Sequence, residues 1–587
     1  MRRTPTPLLK KRAQSKAVLE AAERGGFTPL QARVLAGRLG ESQAKDLASS
    51  IRPAAADLDA PDSLPDIDAA ANRLADAIET GERILPCTDH DVDGVTSHAI
   101  IRAALIDVFH HPVDMVHSFI SHRIKEGYGI SEGVVSRIAA AGHRGGVLLS
   151  ADQGSSDEPR IAKLKALGIE TIVTDHHGVE GKGPVSAYAV VNPTREDSRF
   201  PDKTIAGCHT AWLTMAATRK ELIRRGRLPD TAPQLSGMVD ILALGVVADC
   251  VDMGGSRNNR LLVQRGLAEI NRFRRPCWEA LRQIRGKSEP FTAEDLAFLA
   301  GPMINARGRL DEAMAGVRFL RSQTIDQATR LAKLLQEANE ERKVIERHLK
   351  EEAIEIASRL VESGAEGLAI RLDNGHSGVH GIVASRVVEA FGRPTVCLSP
   401  KAGHPGVYSG SCRTIRGFHV RNALAEIAEH FPDILMAWGG HAGAGGLTLH
   451  ADAIDEFTAA WDEVVRQSHC DIGPSITTDG PLGVAPDLNT LAELSALGPY
   501  GNGFEIPVFS ERAQIVSARQ VGDGGLHAQL KLEIHGRTIP AIWFNVPESG
   551  GRIIEPGRAI TVAFNLATNE FRGDISLQAQ VRGIWAE

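Results

Sequence analysis

The stretch ILPCTDHDVDG at 84–94 sets a short apolar run, Ile84 to Cys87, directly against three aspartates, Asp89, Asp91 and Asp93. An apolar run of that length bounded by polar residues reads as a buried strand, and Val95 to Phe109 beyond it reads as a helix. The same order recurs downstream. Gly146 to Ser150 is strand-like and precedes Asp152, Glu158 to Leu167 is helix-like, and Thr171 to Thr174 is a third strand that ends at Asp175. Repeated strand-to-helix units predict a mostly parallel sheet with helices on its faces. A sheet of this kind holds ligands beyond the carboxyl ends of its strands, so the acids are expected along one rim.

The acids carry the chemistry. Two-residue spacing in an extended segment aims Asp89, Asp91 and Asp93 at one face, with Gly94 letting the chain turn into the helix. Asp152, in SADQGSS, occupies an equivalent strand end, and Gly154 permits a tight turn there. The run TDHHG supplies Asp175, His176 and His177, and LALGVVADC ends an apolar run, read as a fourth strand, at Asp249. Carboxylates this close repel one another unless a cation neutralises them. Carboxylates with histidines and no thiolate cluster suit Mn²⁺ or Mg²⁺. Two such ions can activate water and stabilise both the attacking and the leaving oxygen of a phosphodiester. Read alone, each segment also suits helix caps, surface acids or a hydrogen-bonded structural histidine; the recurrence at four places favours the metal.

Composition bounds the rest. A chain of 587 residues is too long for one core, and 43 % hydrophobic with 24 % charged residues is ordinary for a folded protein, which excludes a fibre or a fully disordered chain. The formal net charge of -7 excludes a uniformly basic coat but leaves room for a basic groove on an acidic body. Seven cysteines, at 87, 208, 250, 277, 397, 412 and 470, show no zinc-type pair and read as reduced thiols, which points to the cytoplasm. No segment has the roughly 18 to 20 apolar residues that cross a bilayer. Residues 1–45 begin with a basic stretch lacking a signal-peptide core and are expected to form a flexible or loosely helical extension.

Between 312 and 363 the chain lacks proline, and apolar residues such as Leu331, Leu335, Ile345 and Leu349 recur at three- and four-residue spacing, which predicts a long helix connecting two domains. Strands and helices restart at about 366. From 504 onward AQIVSARQV, HAQLKLEIH, TIPAIWFNV, AITVAFNLA and ISLQAQVRGIW predict short strands forming a small β-barrel or sandwich.

The segments DHDVDG, ADQG, TDHHG and ALGVVAD, in this order and spacing, resemble the four motifs of the DHH phosphoesterases, and Asp89 in the first of them fits the RecJ branch. HRIKEGYGI, VVNPTREDSRFPDKTIAG, NNRLLVQRGL and GPMINARGRL resemble further RecJ segments, so the resemblance spans roughly 75–580. It implies a catalytic centre of Asp89, Asp91, Asp93, Asp152, His176, His177 and Asp249, with Asp89, Asp91, Asp93, Asp152, His176 and Asp249 as ligands of two ions, Mn²⁺ or Mg²⁺. Asp93 and Asp152 would be shared or second-metal ligands, His177 a contact to the scissile phosphate, and Arg307 and Arg309 phosphate contacts.

GHSGVHGIVASRVVEAFGRP, SGSCRTIRGF and GGHAGAGGLTL resemble the DHHA1 domain that follows DHH domains, with Ser411, Arg413 and His441 as donors to phosphate oxygens. LGPYGNGFEIPVF at 497–509 and the barrel resemble the oligonucleotide-binding end of RecJ, where Phe504, Phe509, Trp543 and Phe544 are aromatic candidates for stacking or for the core. The chain departs from the family at Gly375, often tryptophan, around Gly443, and at Gln153, often asparagine. The expected fold is therefore α/β: an N-terminal extension at 1–45, a parallel-sheet DHH catalytic domain at 46–311, a connector helix region at 312–363, a smaller α/β DHHA1 domain at 364–468 and an OB-fold nucleic-acid-binding barrel at 469–587. The resemblance implies a monomeric, cytoplasmic, single-stranded-DNA-specific exonuclease. It would work 5′ to 3′, release 5′-mononucleotides and act in DNA repair and recombination, alongside a single-strand-binding protein and a RecQ-type helicase. The rival readings are a DHH phosphatase or oligoribonuclease for short nucleotides and a non-catalytic strand-binding scaffold.

Overall fold

A computed structural model of the protein describes residues 5–122, 126–286, 288–310, 313–547, 553–571 and 573–586, with the side chains at 307–310, 523 and 571 outside the description. The chain forms two compact units, one of 15–339 with 497–506 and one of 1–14 with 340–496 and 507–587.

The first unit is built on five parallel strands: β1 (Ile84–Thr88), β2 (Phe119–Ile120), β3 (Val147–Ala151), β4 (Glu170–Thr174) and β5 (Ala189–Val191), in the order β2-β1-β3-β4-β5. β1 and β3 are buried at every position, which is why they read as apolar runs rather than as alternation. On one face Leu85, Leu148 and Val173 pack against Val134, Ile138, Ile161 and Leu164 from the flanking helices. Three further helices matter for the site: α1 (Val92–Arg102), α2 (Gly207–Arg224) and α3 (Val239–Ala248). The last corrects the sequence reading. LALGVVADC was expected to be a strand, but it lies largely in α3, where Ile241 to Val246 are all buried. A helix that is apolar all round has no 3.6-residue period to betray it.

The N-terminal residues also differ from expectation. Leu8–Lys11 form a strand that pairs in parallel with Ser475–Thr478, and Lys16–Arg24 and Pro29–Ala36 are capped helices that bury Val18, Ala22, Val34 and Leu35. The connector is the 38-residue helix α4 (Ile325–Glu362), which runs from the first unit into the second. It is about 57 Å long at 1.5 Å per residue.

In the second unit a mixed sheet of β6 (Leu368–Arg371), β7 (Thr395–Pro400), β8 (Val407–Arg413), β9 (Ala437–Gly440) and β10 (Ala444–His450) runs in the order β9-β10-β8-β7-β6. Its core gathers Leu424, Ile427, Phe457 and Trp461. The C-terminal barrel closes as β11-β12-β13-β15-β14, with β11 Phe509–Val521, β12 His527–Ile534, β13 Arg537–Trp543, β14 Ala559–Phe571 and β15 Asp574–Ala586. Three of these strands run 13 residues, longer than the short strands expected. Register shifts at Ile515/Ser517 and Ala563/Phe564 interrupt the ladders. Such bulges let one long strand bend around a barrel. All seven cysteines are free thiols. Among the described residues no helix is long and apolar enough to cross a membrane.

Burial holds three histidines neutral: His98 at about 3, and His209 and His380 at about 4. His380 lies in the second unit, its Nε2 2.5 Å from the Ser399 hydroxyl. The unfolded chain binds a proton at this residue below about 6.5 and the folded chain does not. Its contribution to stability is therefore intact above that pH and is lost as pH falls from 6.5 through 4, by about 1.4 kcal/mol per unit. Melting of the second unit should drop between pH 7 and pH 5, and His380→Gln should flatten that dependence. An equal slope in the variant would show that His380 is not the group responsible.

Candidate metal centre

At the end of β1 the Asp89 carboxylate is buried and accepts a hydrogen bond at Oδ1 from the Ser121 hydroxyl (3.0 Å), with His90 Nδ1 2.9 Å away. Asp91 is the N-cap of α1 and its Oδ1 accepts from the Gly94 amide at 3.1 Å. Asp93 lies in the first turn of that helix, where both its oxygens are held by amides at the start of α2, Gly207 to Oδ2 at 2.7 Å and Cys208 to Oδ1 at 2.8 Å. A helix N-terminus is a ready-made anion site, which explains how this carboxylate tolerates burial. The three aspartates therefore do not share one extended face as expected. Helix geometry begins at Val92, so Asp89 and Asp91 group with Asp152 while Asp93 groups with His176 and Asp249. Gly94 is likewise not a turn residue; a methyl group there would lie 2.2 Å from the Asp89 carbonyl oxygen.

Asp152 follows β3 in the left-handed region, φ 59°. Aspartate is among the few residues that visit that region readily. After β4, Asp175 turns inward and organises its neighbours instead of facing the cluster. Its Oδ1 accepts from the His176 amide (2.8 Å) and the His177 amide (3.2 Å) and lies 2.8 Å from His177 Nδ1, while Oδ2 accepts from the Ser155 amide at 3.0 Å. Asp249 is the C-cap of α3, a helix end and not the strand end expected.

These elements converge. His176 Nε2 lies 3.3 Å from Asp152 Oδ1, 3.6 Å from Asp249 Oδ2 and 3.9 Å from Asp93 Oδ2. Three sets of donor atoms each fall within 4.8 Å: Asp89, Asp91 and Asp152; Asp93, His176 and Asp249; Asp152, His176 and His177. Asp152 and His176 each belong to two of them. Burial pushes Asp93 up to about 6, with the Asp91 charge adding to it and the α2 amides opposing. Burial, then the neighbouring aspartates, carries Asp152 and Asp249 well above the usual carboxylate range. His177 moves the other way: burial would lower it, but hydrogen bonding and charge from Asp175 raise it to about 9. Buried acids that disfavour their own ionisation, in an oxygen-rich set with imidazole, fit hard divalent cations such as Mg²⁺ or Mn²⁺.

Several residues of the site were not assigned to it from the sequence, although Tyr128 and Gly207 lie inside the quoted segments HRIKEGYGI and VVNPTREDSRFPDKTIAG. Tyr128 donates to the Asp152 carbonyl at 3.2 Å, and its hydroxyl lies 2.8 Å from His177 Nδ1; a tyrosine flanked by Gly127 and Gly129 was the available signal. Ser121 and the Cys208 amide had none, because they reach the acids through space. A cavity of about 760 Å³ opens beside Ser121, with Arg102, Arg137, Arg318 and Arg321 in its wall. The side chains of Arg307 and Arg309 lie outside the description. In the second unit Ser411 and Arg413 lie on β8, Arg413 is the register partner of Ala444, and the His441 amide donates to the Ala444 carbonyl at 2.8 Å. These residues thus cluster at one end of that sheet. Of the aromatic candidates, Phe504, Phe509 and Trp543 are buried and Phe544 is 52 % exposed. Gly375 is enclosed, since a methyl group there would come 2.6 Å from Ser399 Cβ.

Gly207 offers a sharp test. Its amide holds Asp93, and a methyl group on it would lie 2.7 Å from Asp152 Cβ. Gly207→Ala should reduce turnover by about 10- to 100-fold, since small displacements of a reacting constellation cost that much, with little change in substrate affinity. Turnover at the wild-type level would show that the two carboxylates need no such spacing.

The chain matches three family models: the DHH family N-terminal domain over residues 83–246, the DHHA1 domain over 364–467 and the RecJ OB domain over 483–583. It is 35 % identical over 538 residues to the single-stranded-DNA-specific exonuclease RecJ of Salmonella typhimurium, covering 89 % of this chain and 90 % of that one. It is 34 % identical over 541 residues to the RecJ of Escherichia coli, again with 89 % and 90 % covered. Among solved structures it is similar to RecJ from Thermus thermophilus in complex with Mn²⁺, with a TM-score of 0.74 at 26 % identity, over 99 % of this chain and 79 % of that one. The Mg²⁺ complex of the same protein gives 0.69 at 25 % identity, over 99 % and 78 %. With identity at this level along nine-tenths of both sequences, and all three domain models in order, the chain belongs to the RecJ family, DHH phosphoesterases that carry DHHA1 and OB domains.

Proposed function

We propose that this protein is a metal-dependent exonuclease that hydrolyses single-stranded DNA from the 5′ end and releases 5′-mononucleotides, in DNA repair and recombination. The observation that carries this reading is the convergence of Asp89, Asp91, Asp93, Asp152, His176 and Asp249 into interlocking donor sets within 4.8 Å. In this reading Asp152 and His176 stand where two cation sites adjoin, with Asp89 and Asp91 on one side and Asp93 and Asp249 on the other. When bound, such ions activate water and neutralise charge on the attacking and leaving oxygens.

The chain's own residues do the remainder. The α2 amides fix the direction of Asp93, and Ser121 fixes that of Asp89. Hydrogen bonding and charge from Asp175 orient His177 and favour its protonated form, a donor suited to a phosphate oxygen. The guanidinium groups of Arg102, Arg137, Arg318 and Arg321 in the cavity wall beside Ser121 favour a polyanion; within the DHHA1 domain, Ser411, Arg413 and His441 are donors suited to phosphate oxygens. The OB barrel, with Phe544 exposed, suits a polymer rather than a free nucleotide. The same reading places the protein in the cytoplasm as a monomer that meets single-strand-binding protein and a RecQ-type helicase on its substrate.

The experiment compares Mn²⁺-dependent degradation of 5′-labelled and 3′-labelled single strands, duplexes and RNA. Rapid release of labelled mononucleotide from the 5′-labelled single strand is expected. Release from the 3′ label alone would overturn the polarity, and activity confined to short nucleotides would replace the nuclease with a phosphatase.

A further inference from the structure

Cys250, immediately after Asp249, adopts the left-handed conformation with φ 54°. For a residue other than glycine, asparagine or aspartate that conformation is sterically unfavourable, so neighbouring contacts must hold it. The holding group comes from far along the chain. Asn502 Nδ2 donates to the Cys250 carbonyl at 2.7 Å, and the Met253 amide donates to the Asn502 carbonyl at 2.8 Å, so one residue grips the turn at both ends. The two stretches are in intimate contact: a methyl group on Gly254 would lie 2.5 Å from the Gly503 carbonyl oxygen.

The gripping segment is itself anchored. Residues 497–506 belong to the same compact unit as the metal centre, although they precede the barrel in sequence. The fully buried guanidinium of Arg260 donates to the carbonyls of Leu497 (2.7 Å), Gly498 (3.3 Å) and Pro499 (3.3 Å), and lies 4.5 Å from the centre of the Phe504 ring. Arg38 Nε donates to the Glu505 carbonyl at 2.8 Å from the other side. A segment tied down this firmly, carrying one exposed asparagine aimed at the strained turn after a candidate ligand, has more than a packing role.

We propose that the 497–506 segment is a positioning element of the metal centre, in which Asn502 holds the left-handed turn at Cys250 and thereby sets the direction from which Asp249 presents its carboxylate to His176 and Asp93. The inference rests on the reading of Asp249 as a metal ligand. Asn502 is a positioning residue that acts through the backbone and touches neither cation nor substrate. Loss of such a supporting contact typically weakens metal affinity by about 10- to 100-fold.

The test is direct Mn²⁺ binding to the full chain without DNA, followed by the electron paramagnetic resonance of the free ion. Asn502→Ala should weaken binding by about tenfold, while the melting temperature of the metal-free protein barely moves. Adding Cys250→Gly to that variant should restore most of the affinity, because glycine takes up positive φ without a clamp. Wild-type affinity in Asn502→Ala overturns the proposal, as does a loss that Cys250→Gly does not repair. Asp249→Ala, run in parallel, separates the two layers. If it binds Mn²⁺ as the wild type does, the ligand reading fails and this inference falls with it; if it loses affinity while Asn502→Ala does not, only the positioning role fails.

Discussion

Asp152→Asn is expected to cut nuclease activity by at least about 10²- to 10³-fold, the scale for removing one preorganised charge from a reaction centre, and at the same time to raise the melting temperature of the metal-free protein. The two effects share a cause. Asp152 is buried beside Asp93, Asp91, Asp89 and Asp249, which lifts it well above the usual carboxylate range. A carboxylate with a raised folded-state pKa favours the fold only at low pH; as pH rises past about 4 toward neutrality the unfolded chain ionises freely and the folded one does not. Asparagine keeps the shape, removes that cost and suits the left-handed backbone at φ 59°. A gain of order 1–2 kcal/mol, or roughly 1–3 °C for a unit of this size, should follow. Activity assays and differential scanning calorimetry in chelator read the two halves. A variant that loses activity and also melts earlier would show that Asp152 serves the fold rather than the reaction.

Chelation should produce the second large effect. Removing divalent metal should abolish hydrolysis, and restoring Mn²⁺ to about a hundred times its dissociation constant should stabilise the unit that holds the donor sets by about 2.7 kcal/mol, roughly 4 °C. Among the described residues, the unit containing the DHHA1 domain and barrel holds none of these sets and should melt at an unchanged temperature. Equal shifts in both transitions, or none in either, would be incompatible with a centre assembled from Asp89, Asp93, Asp152, His176 and Asp249. In Asp152→Asn the Mn²⁺-induced shift should shrink.

How much of this could be read in advance depended on distance along the chain. The residue types around 89–93, 152, 175–177 and 249 announced divalent-metal chemistry, because acids and histidines recurring at strand ends have few other uses. Their local geometry was less legible. Asp91 and Asp93 sit on a helix start, where an alternating pattern looks the same as an extended one until the N-cap is known. Asp249 ends a helix whose wholly apolar sequence cannot be told from a buried strand. Contacts that cross hundreds of residues left no local trace at all: the pairing of Leu8–Lys11 with Ser475–Thr478, the Gly207 amide on Asp93, and the return of 497–506 to the first unit when its sequence position suggested the barrel. Those pairings are decided by complementary shape and unsatisfied backbone groups, neither of which a single sequence displays.

The buried guanidinium of Arg260 has a consequence for biogenesis. Its carbonyl partner at Leu497 lies 237 residues downstream, so at ribosomal speeds of about 5–20 residues per second the arginine waits roughly 10–50 s for its socket to be synthesised. During that interval translation proceeds through the connector helix and the DHHA1 domain. A nascent polypeptide therefore carries all four acidic motifs through that interval before the segment that receives Arg260 has been made.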